Sequence, residues 1–404
     1  MSSQTGLSGL NAASQNLDVI GNNIANATTV GMKSSRAEFS ELVASATGGV
    51  TGSSAGIGTQ VAAVTQLFTQ GNLNVTGRDL DVAINGGGFF QLQTANGTSA
   101  YTRDGEFKLD TSGNLVTNTG AKVMGYPTDT KGVPTSTIVQ PLQLPTNAPI
   151  PALQTSSITA AANLDANAPI ASSVTPPTPL STYGTSMTAY DSQGVPLTVN
   201  LYFSKVTPTT AGTDEWAVYD SATSPTVGSL VFDKSGTLTS STVSTLTLTP
   251  AAPSIVPAFP VTLDMSKVTQ YGAAFAVTSL TQNGYPPGEM TGLKIGEGGI
   301  ITATYSNGQS QAAGQLSLAD FRNEQGLTPV GAGNWVESRS SGQPIQGSPG
   351  QGKFGTLASG SLEESNVDLT AELVNMMTAQ RSYQANAQTI KTQDQMVQSM
   401  MNLR

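Results

Sequence analysis

The sequence predicts a multidomain α+β chain in which long, coiled-coil-like terminal α-helices flank mainly-β body domains, one β domain being inserted in another. Three observations carry this. A long apolar heptad closes the chain, a shorter amphipathic stretch opens it, and the interior is a succession of short alternating runs separated by Gly, Pro, Asn and Asp. The 404 residues leave room for two or three domains.

The closing stretch, Asp368 to Arg404, reads DLTAELVNMMTAQRSYQANAQTIKTQDQMVQSMMNLR. Alternate steps of four and three from Leu369 reach Leu373, Met376, Gln380, Tyr383, Ala387, Ile390, Asp394, Val397 and Met401, a heptad seam with polar interruptions at Gln380 and Asp394. Neither Gly nor Pro breaks it. Glu363, Glu364, Asp368 and Glu372 gather at its start and Arg381, Lys391 and Arg404 come later, the order the helix dipole favours, with Asp368 as the expected N-cap. One helix of about 35 residues, about 50 Å long, is expected. Alone it would fray, because helix stability in water comes mostly from packing an apolar face. An ordinary core helix or a hairpin within the chain would bury the seam; the favoured reading is packing against other copies of the chain. On that reading Leu369, Leu373, Met376, Gln380, Tyr383, Ala387, Ile390, Val397 and Met401 are the self-assembly contacts of the C-terminal helix.

At the other end Leu7, Leu10, Ala13, Leu17, Ile20, Ile24 and Ala27 recur at threes and fours, so a shorter amphipathic helix is expected near residues 4 to 28. Asp18 is the only charge before Lys33, so this helix looks built to be covered. Its candidate assembly residues are Leu7, Leu10, Leu17, Ile20 and Ile24. Asn22, Asn23 and Asn26 suit capping and left-handed conformations at its end, and Gly31 offers a break.

Composition excludes whole classes of function. Charged residues make up 11% of the chain, against roughly 25% in an average globular protein. The net charge of -9, with no basic cluster, argues against nucleic acid. His and Cys are both absent, which removes Ser–His triads, Cys nucleophiles, disulfides and His- or Cys-based metal sites. The acids are scattered singly through turns, so the chain is read as no enzyme, with no cofactor and no metal; a carboxylate-only hydrolase is the remaining alternative and no residue pattern favours it. No run approaches the ~20 apolar residues of a membrane helix, and no basic segment precedes an apolar core at the N-terminus. Neither membrane insertion nor a cleaved signal is expected, which suits a cytoplasmic protein or one exported by a signal-independent route.

The segment SGLNAASQNLDVIGNNIANATTVGMKS, together with SNVDLTAELVNMMTAQRSYQANAQTIKTQDQM, resembles the paired terminal signatures of the axial proteins of the bacterial flagellum, the rod and hook subunits. The chain departs from that pattern at Met32, where the family usually has an aromatic residue after the Gly, and in having no aromatic near Met1.

Between the termini, Leu42 to Gly58 is rich in Gly, Ser, Thr and Ala and reads as a flexible connection. In TGRDLDVAINGGGFFQLQ, Leu80, Val82 and Ile84 alternate on one side, and Phe90 and Leu92 continue after the Gly86–Gly88 corner. Asp104-Gly105 reads as a turn before alternating Phe107 and Leu109. These runs, with Ala121 to Pro127, resemble the β-rich body of rod and hook proteins. From Pro127 to Tyr183 Pro, Thr, Ala and Ser dominate, so strands there should be short or at edges, in a crossing between domains. Asp191 to Gly194, Asp233 to Gly236 and Asp110 to Gly113 repeat Asp-x-x-Gly, which suits type I turns far better than calcium loops. Gly296-Glu-Gly298-Gly299 lacks the lysine and helix of a phosphate loop and reads as a hairpin between alternating Leu293, Ile295 and Ile301, Ala303, Tyr305.

The expected domains are therefore 1–70 with 361–404 as a terminal helical assembly domain with its linker, 71–144 with 284–360 as a discontinuous β-rich body, and 145–283 as an inserted outer β domain. Within the family the inserted domain favours the hook. The resemblance implies a subunit that self-assembles into a curved, flexible helical tube carrying motor torque to the filament. Its implied partners are copies of itself, rod, hook cap and hook–filament junction proteins, and the flagellar export apparatus; its implied place is the extracellular flagellum, reached without a cleaved signal peptide. The alternatives are a distal rod or hook-associated junction protein, or a β-rich adhesin or binding module.

Overall fold

The computed structural model describes residues 2–43, 56–145, 149–171, 183–221, 226–252 and 254–401. They form two compact units, one comprising Met1–Asn147, Gly292–Thr304 and Ser310–Arg404, the other Ala148–Thr291 and Tyr305–Gln309.

The first unit holds both terminal helices, α1 (Ser2–Ala25) and α2 (Leu369–Met401). α1 stops short of residue 28, and the chain turns through Asn26 to Gly31. Gly31 has φ 68°, and a Cβ there would lie 2.6 Å from the Asp104 nitrogen, so only glycine fits. α2 is capped as expected: Asp368 Oδ1 accepts the N–H groups of Thr370 (2.9 Å) and Ala371 (3.1 Å). The two ends of the expected flexible connection, Leu42–Val43 and Gly56–Gly58, belong to an antiparallel pair, Ser35–Val43 with Gly56–Gln66, in which Ser35 faces Gln66 and Leu42 faces Gly58. Phe39, Thr59, Val61, Val64 and Thr65 favour strand, and both strands pack on α1. Residues 44–55 of that stretch lie outside the described residues.

The body of this unit is a sheet whose strands run, neighbour to neighbour, Ser310–Leu316, Lys122–Tyr126, Phe89–Gln93, Ser99–Thr102, Asn334–Val336 and Thr328–Gly331. Val82–Asn85 pairs separately with Thr356–Ser359. Val82, Ala83 and Ile84 are all buried, as are Phe89 to Leu92, so these strands are covered on both faces and the expected one-sided alternation does not hold. Phe89 is the hub of an edge-to-face aromatic cluster, 5.7 Å from Phe68, 5.7 Å from Trp335 and 6.1 Å from Phe321. Asp104-Gly105 is no hairpin turn. A Cβ on Gly105 would overlap the Val82 carbonyl, so the chain passes flat against that strand on its way to the Asp81–Glu106 bridge.

The second unit packs two sheets on one core. The first is a meander of Gly184–Tyr190, Pro196–Val206, Asp214–Tyr219, Gly228–Phe232 and Leu238–Ser241. The other centres on Ser157–Asp165, which pairs in parallel with Phe259–Asp264 and Thr269–Tyr271 and antiparallel with Ala276–Gln282. Trp216, Phe203 and Phe232 from the first meet Ile158, Leu164 and Val261 from the second. The nine-residue interior strand Ser157–Asp165 corrects the expectation of only short or edge strands before Tyr183. Its sequence SITAAANLD is free of proline, and strict alternation buries Ile158, Ala160, Ala162 and Leu164; the surrounding prolines obscured it.

The Asp-x-x-Gly turns form as read. In each, the glycine N–H donates to the aspartate carbonyl at 3.0–3.1 Å, and the aspartate Oδ1 accepts the next two available N–H groups at 2.8–2.9 Å. Asp129 to Gly132 is a fourth example. The glycines sit at φ 78° to 88°. Gly299 N–H donates to the Gly296 carbonyl at 2.8 Å, closing the expected hairpin.

Ala332, at φ 53° between Gly331 and Gly333, is the one non-glycine with positive φ among the described residues. Ala332→Gly relieves the left-handed strain, and we expect a gain of about 0.5–1 kcal/mol, read as a higher urea midpoint at unchanged slope.

Candidate functional site: the paired terminal helices and their root

The segments leading into the two helices meet at a buried carboxylate. Glu363 is fully buried, with Lys33 Nζ 2.6 Å from its Oε1 and Arg103 Nη1 3.2 Å from its Oε2; Gly71 N–H also donates to Oε1, at 3.0 Å. Lys33 Nζ donates in addition to the Thr69 carbonyl at 2.7 Å, and the Arg103 guanidinium lies 5.2 Å over the Phe89 ring. Burial pulls the Lys33 ammonium below the ordinary lysine range, and the Glu363 charge opposes that pull. Asn366 completes the junction. Its Oδ1 accepts Ser34 N–H at 2.7 Å, and its Nδ2 donates to the carbonyls of Leu67 (2.7 Å) and Thr69 (3.1 Å).

From this root the helices run antiparallel, Asn23 opposing Glu372, Gly9 opposing Asn386 and Gly6 opposing Ile390. Small residues set the spacing. A Cβ on Gly6 would lie 3.1 Å from Ile390 Cγ1, and one on Gly9 2.8 Å from Asn386 Nδ2, so a side chain at either would push the facing side chain of α2 aside. Buried Ala12, Ala13 and Ala379 continue the close approach. Asn23 ties α1 to the neighbouring hairpin: its Nδ2 donates to the Ser35 carbonyl (2.8 Å) and its Oδ1 accepts Ser35 N–H (2.9 Å). It thus acts as a side-chain bridge and not as a cap.

The row of α2 turned to α1 is Glu372, Met376, Ala379, Asn386, Ile390 and Gln393, wholly or half buried. It lies three residues out of phase with the seam traced from Leu369, and the two share Met376 and Ile390. Ala387 is also half-buried, whereas Leu369, Leu373, Gln380, Tyr383, Val397 and Met401 are exposed. Val374, Met377, Met396 and Met400 join them at the surface, Leu373 keeping 47% and Met400 64% of its area. On α1, Ile20 is buried, Leu10, Leu17 and Ile24 are half-buried and Leu7 is exposed. The pair is therefore joined within the chain along one row and bare along another. The sequence reading missed Gly6, Gly9 and Ala379, whose smallness at helical spacing was the available signal. It also missed the ion cluster, whose members lie 70 and 260 positions apart and leave no local trace.

Among the described residues no cluster of three or more acids could hold a metal ion, and no helix is long and apolar enough to cross a membrane.

Four family models match the chain: flagella basal body rod protein over residues 4–33, flagellar hook protein FlgE/F/G D1 domain over 83–163, flagellar basal body protein FlaE D2 domain over 163–285, and flagellar basal body rod FlgEFG protein C-terminal over 358–403. The chain is 41% identical to the flagellar hook protein FlgE of Escherichia coli (strain K12), covering 98% of each chain. It is 33% identical to the flagellar hook protein FlgE of Treponema pallidum (strain Nichols), over 99% of this chain and 98% of that one. A crystal structure of Helicobacter pylori flagellar hook protein FlgE2 superposes with a TM-score of 0.53 at 16% identity, over 72% of this chain and all of that one, a likeness of fold.

Glu363→Gln would leave two buried cations without their anion, and we expect a loss of about 3–5 kcal/mol. Trp335 belongs to the first unit and Trp216 to the second. In a Trp216→Phe background, urea unfolding followed by the remaining tryptophan reads that loss. Asp104 gives a pH test. Burial pushes its carboxyl up to about 6, with the charges of Glu106 and Asp81 adding to the rise and the Glu106 N–H bond opposing it. The folded state therefore binds the extra proton between about 4 and 6, and this group's contribution to stability falls as pH rises through that window. Asp104→Asn should raise the melting temperature at pH 7, with the gain vanishing near pH 4.

Proposed function

The chain belongs to the flagellar hook protein family and is a structural subunit of the hook, and from that membership we propose how its termini build the tube. The subunit polymerises into the extracellular hook with other flagellar components. In our reading residues 1–70 with 361–404 form the assembly domain, 71–144 with 284–360 the body and 145–283 the outer domain. Leu7, Leu10, Leu17, Ile20 and Ile24 of α1 act with Leu369, Leu373, Met376, Gln380, Tyr383, Ala387, Ile390, Val397 and Met401 of α2. Residues already half-buried hold the pair together, and the exposed ones receive neighbouring copies.

One observation supports this above the rest. After α1 has occupied one side of α2, Leu369, Leu373, Val374 and Met377 are exposed at one end of the helix and Met396, Val397, Met400 and Met401 at the other. An apolar surface of that extent marks a partner site, and head-to-tail contacts between identical copies that do not close into a ring generate a helical tube. Such a tube bends while carrying torque if its helical lining is continuous and the root of each helix pair is fixed to its body domain. The Lys33–Glu363–Arg103 cluster supplies such a fixture. Rod, hook cap and junction proteins and the export apparatus are the partners this reading requires, with export proceeding without a cleaved signal.

Leu373 and Met377 are both about half exposed, so replacing them with Asp leaves the single chain intact. Each contributes ~1.5–3 kcal/mol if buried between copies, so Leu373→Asp with Met377→Asp should raise the critical concentration for polymer growth at least ~100-fold. Unchanged circular dichroism with no tubes by electron microscopy is the expected result. Normal tubes at the wild-type concentration would overturn the reading.

A further inference from the structure

The first unit also carries a cleft of about 350 Å³, lined by Arg322, Asn323, Arg339, Ser341, Gln343 and Ile345. Both arginines are exposed, and among the described residues neither guanidinium makes an ion pair or a hydrogen bond. The acids nearest in sequence are engaged elsewhere. Asp320 accepts Phe321 N–H at 2.9 Å, Glu337 accepts the Tyr101 hydroxyl at 3.3 Å, and Glu324 lies in the field of the buried Arg103 and Lys33.

The loop that presents Arg339 is set by its own bonds. Ser338 N–H donates to Ser341 Oγ at 2.8 Å, the Ser341 hydroxyl donates to the Ser338 carbonyl at 2.9 Å, and Ser338 Oγ accepts the N–H groups of Ser340 (3.1 Å) and Ser341 (3.2 Å). The backbone that carries Arg339 is thus held by local hydrogen bonds. Two planar guanidiniums, each with five N–H donors, face one concavity, where like charge focuses the field and the fork geometry matches a carboxylate. The chain has 26 acidic residues against 17 basic ones, so another copy is a plentiful source of carboxylates. Ile345, 55% exposed at the cleft wall, offers apolar contact to the methylene stem of an acidic side chain.

We propose that Arg322 and Arg339 form a carboxylate-binding cleft that receives an acidic side chain from a neighbouring copy of this chain in the polymer. The proposal rests on the assembly reading above and adds to it an electrostatic contact on the body, away from the helices. Because the ion pairs are screened by salt, their contribution is largest at low ionic strength.

Two experiments on the full chain test it. Arg322→Gln with Arg339→Gln should keep the wild-type circular dichroism and raise the critical concentration for tube growth roughly tenfold at low salt, the difference shrinking towards ~1 M salt. In the second, Arg322→Lys subunits, half of them uniformly labelled with heavy nitrogen, are polymerised and treated with a water-soluble carbodiimide. The expected product is an amide joining the introduced lysine to an acidic peptide of the oppositely labelled copy, found by mass spectrometry. Equal critical concentrations for wild type and the glutamine variant would overturn the proposal, as would cross-links only within one copy or none at all. A wild-type chain that forms no tubes would overturn the assembly reading and this proposal with it; wild-type tubes with an unaffected glutamine variant would overturn this proposal alone.

Discussion

A buried carboxylate is tolerated only when charge and hydrogen bonds replace its lost hydration, and Glu363 meets that demand from three separate parts of the chain. Lys33 comes from the segment after α1, Arg103 from the bend that follows the body strand Ser99–Thr102 and the Gly71 N–H from the connection between Gly56–Gln66 and Leu73–Val75. With both helices leaving from this point, their direction relative to the body is set by one anion and its partners. Asn366 reinforces the junction, pairing its amide with backbone groups at Ser34, Leu67 and Thr69. Each contact spans a large gap in sequence, so the junction cannot form piecemeal.

Above the root, the helix pair divides its surface by side-chain size. Gly6, Gly9, Ala12 and Ala13 admit α2 closely, and the row facing α1 mixes the apolar Met376 and Ile390 with Glu372, Ala379, Asn386 and Gln393. Apart from Met376 and Ile390, the larger apolar residues of α2 are left outside, among them Leu373, Met377 and Met400. A chain selected only to be stable alone would bury more of the large side chains of α2, since their burial yields more free energy. The outward placement makes sense when the larger side chains are reserved for contacts between copies.

The β units work differently. Their cores are conventional, with Trp216, Phe203 and Phe232 in one and the Phe89 cluster in the other. Their turns recur as one device, an aspartate that gathers two backbone N–H groups ahead of a left-handed glycine, at Asp110, Asp129, Asp191 and Asp233. Bonds from Ser235 and Thr237 hold the Asp233 carboxyl down at about 2, so that turn keeps its anion through acid conditions. With so few charges elsewhere, these local carboxylates fix strand connections where ion pairs between strands are scarce.

Features governed by neighbours in sequence were legible from the amino acids alone. The last helix with its Asp368 cap, the break at Gly31, the Asp-x-x-Gly turns and the Gly296–Gly299 hairpin each depend on bonds or dihedral preferences within a few residues, and each appears in the structure. Tertiary contacts decided the rest. The interior strand Ser157–Asp165 is held by partners far along the chain, amid surrounding prolines that mislead a local reading. Which row of α2 meets α1 depends on contacts between the two ends of the chain, such as Gly6 with Ile390 and Gly9 with Asn386, which the spacing within α2 does not encode. The Lys33–Glu363–Arg103 cluster belongs wholly to the tertiary structure: a charge can be buried only where distant opposite charges converge, and no local pattern encodes that convergence.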